Sequence, residues 1–224
     1  MKPLIRAIVF DAAGTLIHLP KGPAHHYADV AARHGLTLDL SRLAHAFRVA
    51  WTTLPPPDAT QSPRPDDDRE WWRALVNMVL DDCGVSQEDS FDRAAYFDEL
   101  YAEFERPGIW ECYPEVIPVL DRLAQDFTLA VMSNFDGRLR SVLNHLGLNA
   151  FFSEIIISSE VGAEKPHPWI FQETSRRLGL APEEILHVGD DPDADWQGAA
   201  SAGFQVFELK RPSNSLQDLA GALS

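Results

Sequence analysis

Long apolar runs are missing from this chain, and cysteine and lysine are scarce. No stretch of 18 consecutive apolar residues occurs, so the sequence offers no transmembrane helix. The apolar run Ile5–Phe10 is ended at once by Asp11, too short and too early for the core of a signal peptide. Cys83 and Cys112 are the only cysteines. They make neither a CxxC pair nor a disulfide framework, so two reduced thiols in a reducing compartment are expected. Basic residues are outnumbered, 19 Lys and Arg against 34 Asp and Glu, for a formal net charge of −15. A nucleic-acid backbone or an anionic membrane would repel such a chain, which argues against both as partners. The expectation is a soluble cytoplasmic protein.

What is present is ordinary globular composition, 45% hydrophobic and 24% charged over 224 residues. That excludes disorder throughout and allows one large or two modest domains. The acids form no detachable tail, since 17 of them lie between His18 and Cys112.

Short β-branched apolar runs recur at Ile5–Phe10, Thr128–Ser133, Glu154–Ser158, Ile185–Gly189 and Phe204–Leu209. Helical patterns separate the later ones, near Pro114–Gln125, Gly137–Leu146, Pro166–Leu178 and Asp195–Ala202. Strands alternating with helices predict an α/β fold with a mainly parallel sheet. Residues 18–112 break the alternation. They hold four helical patterns, near Pro23–His34, Leu40–Leu54, Arg69–Cys83 and Glu88–Phe104, and no convincing strand. Asp66, Asp67 and Asp68 precede the third, where acids offset the positive helix end and cap open N–H groups. The segment Leu54–Pro65, with five prolines in twelve residues, cannot be helical. The predicted organisation is a Rossmann-like core from residues 1–17 and 113–224, with an α-helical cap domain inserted at 18–112.

In an open α/β sheet, ligands bind beyond the carboxyl ends of the strands. Asp11, Ser133 with Asn134, Lys165 and the Gly189-Asp190-Asp191 run lie at or after such ends, and Asp195 lies one turn later. Asp11, Asp190 and either Asp191 or Asp195 supply the hard oxygen ligands that Mg²⁺ prefers. A carboxylate not fully used as a ligand can be a nucleophile. Ser133 can hydrogen-bond an anion, and Lys165, one of only four lysines, can neutralise one. A metal, a cation and a carboxylate around one point suit a phosphoryl group.

These segments, in this order, resemble the motifs of the haloacid dehalogenase-like hydrolase superfamily. The motifs are FDAAGTL at Phe10–Leu16, MSN at Met132–Asn134, KPHPWIF at Lys165–Phe171 and GDDPDADWQGA at Gly189–Ala199. The helical insert between the first two resembles the family's first cap class. REWW at Arg69–Trp72 and SNFDGRL at Ser133–Leu139 are similar to the branch of haloacid dehalogenase-like hydrolase domain-containing protein 3. The resemblance implies an Mg²⁺-dependent hydrolase of a small phosphorylated metabolite. Asp11 would form an aspartyl-phosphate. Asp190, Asp11 and the Ala13 backbone carbonyl would hold Mg²⁺. Ser133, Asn134 and Lys165 would bind the phosphoryl group. Asp195 would position Lys165 or a metal-bound water, and Asp191 is a further possible ligand.

One position departs from the family. The usual DxDGT reads Asp11-Ala12-Ala13-Gly14-Thr15, so the aspartate that protonates the leaving alcohol and later deprotonates water is Ala13. General acid–base catalysis is typically worth ~10²–10⁴-fold, about 3–5.5 kcal/mol of barrier. Three explanations stand. Another acid among His18, His25, His26 and Asp136 enters the site. The chemistry differs, as in the family's phosphonate hydrolases, for which Lys21 would be the cap lysine, or its dehalogenases, whose fourth motif lacks the Gly189-Asp190 type of sequence. Or the protein binds phosphate esters without turnover, as a regulatory protein. The substrate would be set by the cap, where Arg33, Arg42 and Arg48 are candidate anion contacts and Trp51, Trp71 and Trp72 are expected to pack in the cap core.

Overall fold

The computed structural model describes residues 4–86 and 91–223. Its elements in chain order are β1 (Ala7–Phe10), β2 (Ile17–His18), α1 (Pro23–Arg33), α2 (Leu40–Thr53), α3 (Arg69–Asp82), α4 (Arg93–Glu103), β3 (Glu111–Cys112), α5 (Val116–Leu123), β4 (Thr128–Ser133), α6 (Arg138–His145), β5 (Glu154–Ile157), α7 (Ser158–Val161), α8 (Pro168–Leu178), β6 (Ile185–Gly189), α9 (Gly198–Ser201), β7 (Gln205–Glu208) and α10 (Leu216–Ala222). The start of the fourth expected helix, residues 88–90, lies outside the described residues.

Five strands form one parallel sheet in the order β5-β4-β1-β6-β7. The order reverses around β1: the chain builds outward first on one side and then on the other. That creates the crevice in which such sheets bind ligands. β1 and β6 are buried along their whole length, which is why they read as continuous apolar runs. Val9, Met132, Ile156 and Ile185 form one core with Ile170 and Phe171 of α8 and with Phe204.

Contacts divide the chain into two compact units. One holds the residues up to His18, Asp58–Asp67 and the chain from Glu111 onward; the other holds Leu19–Pro57 and Asp68–Trp110. The second is a four-helix bundle: α1 touches α2 and α4, and α3 touches α2 and α4. Its core includes Tyr27, Leu43, Leu75, Val79, Tyr96 and Leu100. β2 and β3 pair antiparallel, Ile17 opposite Cys112 and His18 opposite Glu111, at the first and last of the chain's four passages between the units.

The proline-rich segment 58–67 belongs with the sheet unit, although its neighbours on both sides are helical-unit residues. The Thr60 and Gln61 N–H groups donate to the Gly162 carbonyl at 2.8 and 3.2 Å, and the Arg64 N–H donates to that of Ser159 at 2.9 Å. Asp67 accepts from the Gly137 N–H at 2.8 Å and from the Ser159 hydroxyl. The expectation that these aspartates cap the N–H groups of α3 with their side chains is therefore corrected for Asp67 and Asp68. Asp68 holds the N-cap position in a left-handed conformation without a side-chain cap bond. Asp67 reaches instead to the amide that opens α6. Cys83 and Cys112 are unbonded. Among the described residues no helix is long and apolar enough to cross a membrane.

Candidate active site

β1 stops at Phe10, and the Asp11 N–H still donates to the Val188 carbonyl at 2.8 Å, so the sheet ladder fixes where Asp11 begins. The following turn needs Gly14. Its φ is +93°, and a Cβ there would collide with the Asp190 carboxylate. The Thr15 hydroxyl donates to Asp190 Oδ1 at 3.3 Å. Arg211 braces the same turn by donating to the Thr15 carbonyl at 3.1 Å; its guanidinium pairs with Glu115 and lies 3.6 Å from the Tyr113 ring centroid.

Around Asp11 the strand ends converge as expected. Asp11 Oδ1 accepts from the Ser133 hydroxyl at 3.2 Å and from Lys165 Nζ at 2.7 Å. Lys165 also donates to Asp195 Oδ1 at 2.6 Å. The same Asp195 oxygen meets His187 Nε2 at 2.8 Å, and Asp195 Oδ2 accepts from the Asp191 N–H at 3.0 Å. Lys165, Asp195 and His187 are all buried. A buried ammonium persists only when paired and hydrogen-bonded. Burial opposes its charge, but Asp11 and Asp195 outweigh that and hold Lys165 protonated, with its pKa raised. Burial also pushes Asp195 up, yet Lys165 and the His187 hydrogen bond prevail and hold it well below the usual carboxylate range. Asp11 goes the other way. Burial, with Asp195 and Asp190 adding to it, raises its pKa from 3.8 to about 6 against the pull of Lys165.

Asp11, Ser133, Lys165, Asp190 and Asp195 thus come together. Two residues take other tasks. The Asn134 side chain, expected on the substrate, donates to the Lys165 carbonyl at 2.8 Å and accepts from the Lys165 N–H at 2.7 Å. Its amide is used to hold the Lys165 backbone against the end of β4. Asp191 Oδ1 accepts from the Asp193 and Ala194 N–H groups at 2.8 and 2.7 Å, capping the π-type turn Pro192–Gln197 that carries Asp195 back under Gly189. His187 was not anticipated; a lone histidine inside the apolar run Ile185–Gly189 gives no signal of its partner.

The candidates for a replacement acid are narrowed. Asp136 is fully buried and locked to Arg138 by bonds of 2.8 and 2.6 Å, besides capping the Arg138 N–H. His18 lies 4.5 Å from the Tyr113 ring. His26 is buried beside Phe104 in the helical unit, where burial lowers its pKa. Ala13 is solvent-exposed.

The donor set suits a hard divalent cation. Carboxylate oxygens of Asp11, Asp190 and Asp195 lie within 4.8 Å of one another. Asp195 has donors on both oxygens, whereas Asp11 Oδ2 has no donor among the described residues. Asp11 and Asp190 are therefore the residues fitted to hold an ion. Three carboxylates against the single ammonium of Lys165 leave excess negative charge for it to balance.

A match to the haloacid dehalogenase-like hydrolases covers residues 5–203. The chain belongs to this family. It is similar to the mouse haloacid dehalogenase-like hydrolase domain-containing protein 3, 32% identical over 206 residues, covering 91% of this chain and 81% of that protein. It is also similar to the glyceraldehyde 3-phosphate phosphatase of Methanopyrus kandleri, 43% identical over 221 residues, covering 93% of this chain and 85% of the relative. Among solved structures, the defluorinating L-2-haloacid dehalogenase Rha0230 superposes with a TM-score of 0.81 at 22% identity, over 98% of this chain and 95% of that one. The last likeness is one of fold. Membership in the family makes the chain a hydrolase, in the branch of domain-containing protein 3.

Proposed function

We propose that the protein is an Mg²⁺-dependent phosphatase of a small phosphorylated metabolite, working through an aspartyl-phosphate on Asp11, and that its turnover is slow. The observation that carries this reading is the divided environment of Asp11. One oxygen is held by Lys165 and Ser133, while the other has no donor among the described residues, and the Asp11 carboxylate lies close to those of Asp190 and Asp195. The similarity to a glyceraldehyde 3-phosphate phosphatase supports the substrate class.

In this reading a carboxylate oxygen of Asp11 attacks phosphorus, the P–O ester bond breaks, and the leaving oxygen departs with the electron pair. Lys165 and Ser133 neutralise charge on the phosphoryl oxygens. Water then attacks the same phosphorus, the bond to Asp11 breaks, and the carboxylate and free phosphate are restored. Asp11 and Asp190 would hold Mg²⁺, which would supply Lewis-acid polarisation of the phosphoryl group. Asp11 and Asp195 keep Lys165 protonated, and His187 helps hold Asp195 in place. The helical unit serves as the cap that selects the substrate. Ala13 can neither protonate the leaving oxygen nor deprotonate the water, so esters whose leaving groups need no proton, such as phenolates, are the better substrates.

The test is hydrolysis of p-nitrophenyl phosphate and of an alkyl phosphate, with and without Mg²⁺, by the native chain, Asp11→Asn and Ala13→Asp. The reading expects slow Mg²⁺-dependent turnover, none in Asp11→Asn, and faster hydrolysis of alkyl phosphates in Ala13→Asp, by ~10²-fold or more. The exposure of Ala13 leaves room for that side chain. Activity confined to Ala13→Asp would favour the second reading that Ala13 motivates, a protein that binds phosphate esters without cleaving them.

A further inference from the structure

The helical unit holds a cavity of about 430 Å³ between the start of α1 and one side of α2. Leu40, Phe47 and Trp51 supply much of its wall, and Lys21, His25 and Arg48 stand around it; among the described residues no acidic one lines it. In a chain of net charge −15, that is an unusual local balance.

The cations of the helical unit make the point sharper. Its Lys and Arg residues are Lys21, Arg33, Arg42, Arg48, Arg69, Arg73, Arg93 and Arg106. Arg33, Arg69, Arg73, Arg93 and Arg106 each face a carboxylate. Arg42 donates to the Asp82 carbonyl. Lys21 and Arg48 alone have neither kind of partner among the described residues, and both line the cavity. Trp51 was expected in the core of this unit, yet it is 50% exposed. It stacks on Phe47 with ring centroids 5.9 Å apart and planes 17° from parallel. An exposed Trp51 stacked on a half-buried Phe47, beside two unpaired cations, has both halves of an anion-binding pocket. The first turn of α1 opens on the same cavity with Gly22 as N-cap and no side-chain cap bond, so its positive end is uncompensated there.

We propose that this cavity is a binding site for a small organic anion with a flat apolar body, its charge met by Lys21 and Arg48 and its ring covered by Phe47 and Trp51. The volume fits a small molecule and is lined as such pockets usually are, mostly apolar with a few polar groups that fix orientation. Cation and ring recognition divide the work: the stacked aromatics remove apolar area from water, and the two cations select the charge. The site stands on the helical unit alone and does not depend on the phosphatase reading.

The probe is naphthalene-2-sulfonate, which carries a ring and one charge and has no phosphoryl group to hydrolyse. Its binding to the full chain is followed by calorimetry and by tryptophan fluorescence. We expect one saturable site, at least about tenfold tighter than for methanesulfonate, which lacks the ring, or 2-naphthol, which lacks the charge. Arg48→Gln weakens binding by about tenfold and Lys21→Gln by about threefold, the range of a charge-assisted contact at a partly solvated site. Both side chains are exposed, and an unchanged thermal unfolding temperature shows that the fold is kept. Excess inorganic phosphate leaves the binding intact. Absence of saturable binding, equal affinity for 2-naphthol, no loss in either variant, or displacement by phosphate would each overturn the proposal; displacement would locate the anion at Asp11 and Lys165 instead.

Discussion

Replacing Asp11 with asparagine should stabilise the metal-free protein at neutral pH while abolishing its turnover. In the unfolded chain this carboxyl titrates at its ordinary 3.8; in the fold it titrates at about 6, because burial and the neighbouring carboxylates outweigh Lys165. Between these values the folded state holds more protons than the unfolded one. Stability therefore falls as pH rises through that window and stays lowered above it. Each pH unit of displacement is worth about 1.4 kcal/mol, so the charge on Asp11 costs on the order of 3 kcal/mol at pH 7.5. Lys165 is charged in both states across this range and adds no proton uptake of its own. Asparagine keeps the shape and an oxygen for Lys165 and Ser133 without the charge. Urea unfolding in EDTA at pH 7.5 should show Asp11→Asn more stable by about 2–3 kcal/mol, and at pH 4 by less than about 1 kcal/mol. Adding Mg²⁺ at pH 7.5 should narrow the gap, since an ion bound only by the native site stabilises it by mass action. An Asp11→Asn protein no more stable than the native one in EDTA at pH 7.5, or a difference unchanged by pH, would refute the reasoning.

Two other substitutions probe the scaffold. Asp67→Ala removes the acceptor of the Gly137 N–H and the Ser159 hydroxyl, and urea unfolding should register a loss of about 1–3 kcal/mol. Arg138→Leu strands the fully buried Asp136 without its two guanidinium donors; the same assay should show a loss of about 3–5 kcal/mol, and a change below about 1 kcal/mol would contradict a stabilising role for the pair.

The sheet was legible because its central strands β1, β4 and β6 are buried almost throughout and read as apolar runs. The convergence of Asp11, Ser133, Lys165, Asp190 and Asp195 was legible for a topological reason: parallel strands bring their carboxyl ends together, however far apart they lie in sequence. What escaped were partners with no local signal. His187 looks like a core residue until the turn after β6 brings Asp195 beneath it. Asp67 lies in a run of aspartates before a helix, where capping is the natural expectation, but its partner Gly137 lies 70 residues away. The pairing of β2 with β3 involves two residues on each side, too few for alternation to show. Asn134 sits beside Ser133 in the motif, and only the fold reveals that its amide grips the backbone of Lys165. Trp51 lies on the period of an amphipathic helix, and periodicity alone does not tell a core face from a cavity wall.

The central claim is that Asp11 is the nucleophile and that its phosphorylated form breaks down slowly for want of a base at Ala13. The direct measurement is mass spectrometry of the protein acid-quenched during p-nitrophenyl phosphate turnover with Mg²⁺. One added phosphoryl group on the peptide carrying Asp11, accumulating at steady state and absent from Asp11→Asn, is the predicted result. Turnover with no phosphoryl group on Asp11, or with the group on another residue, would contradict the account.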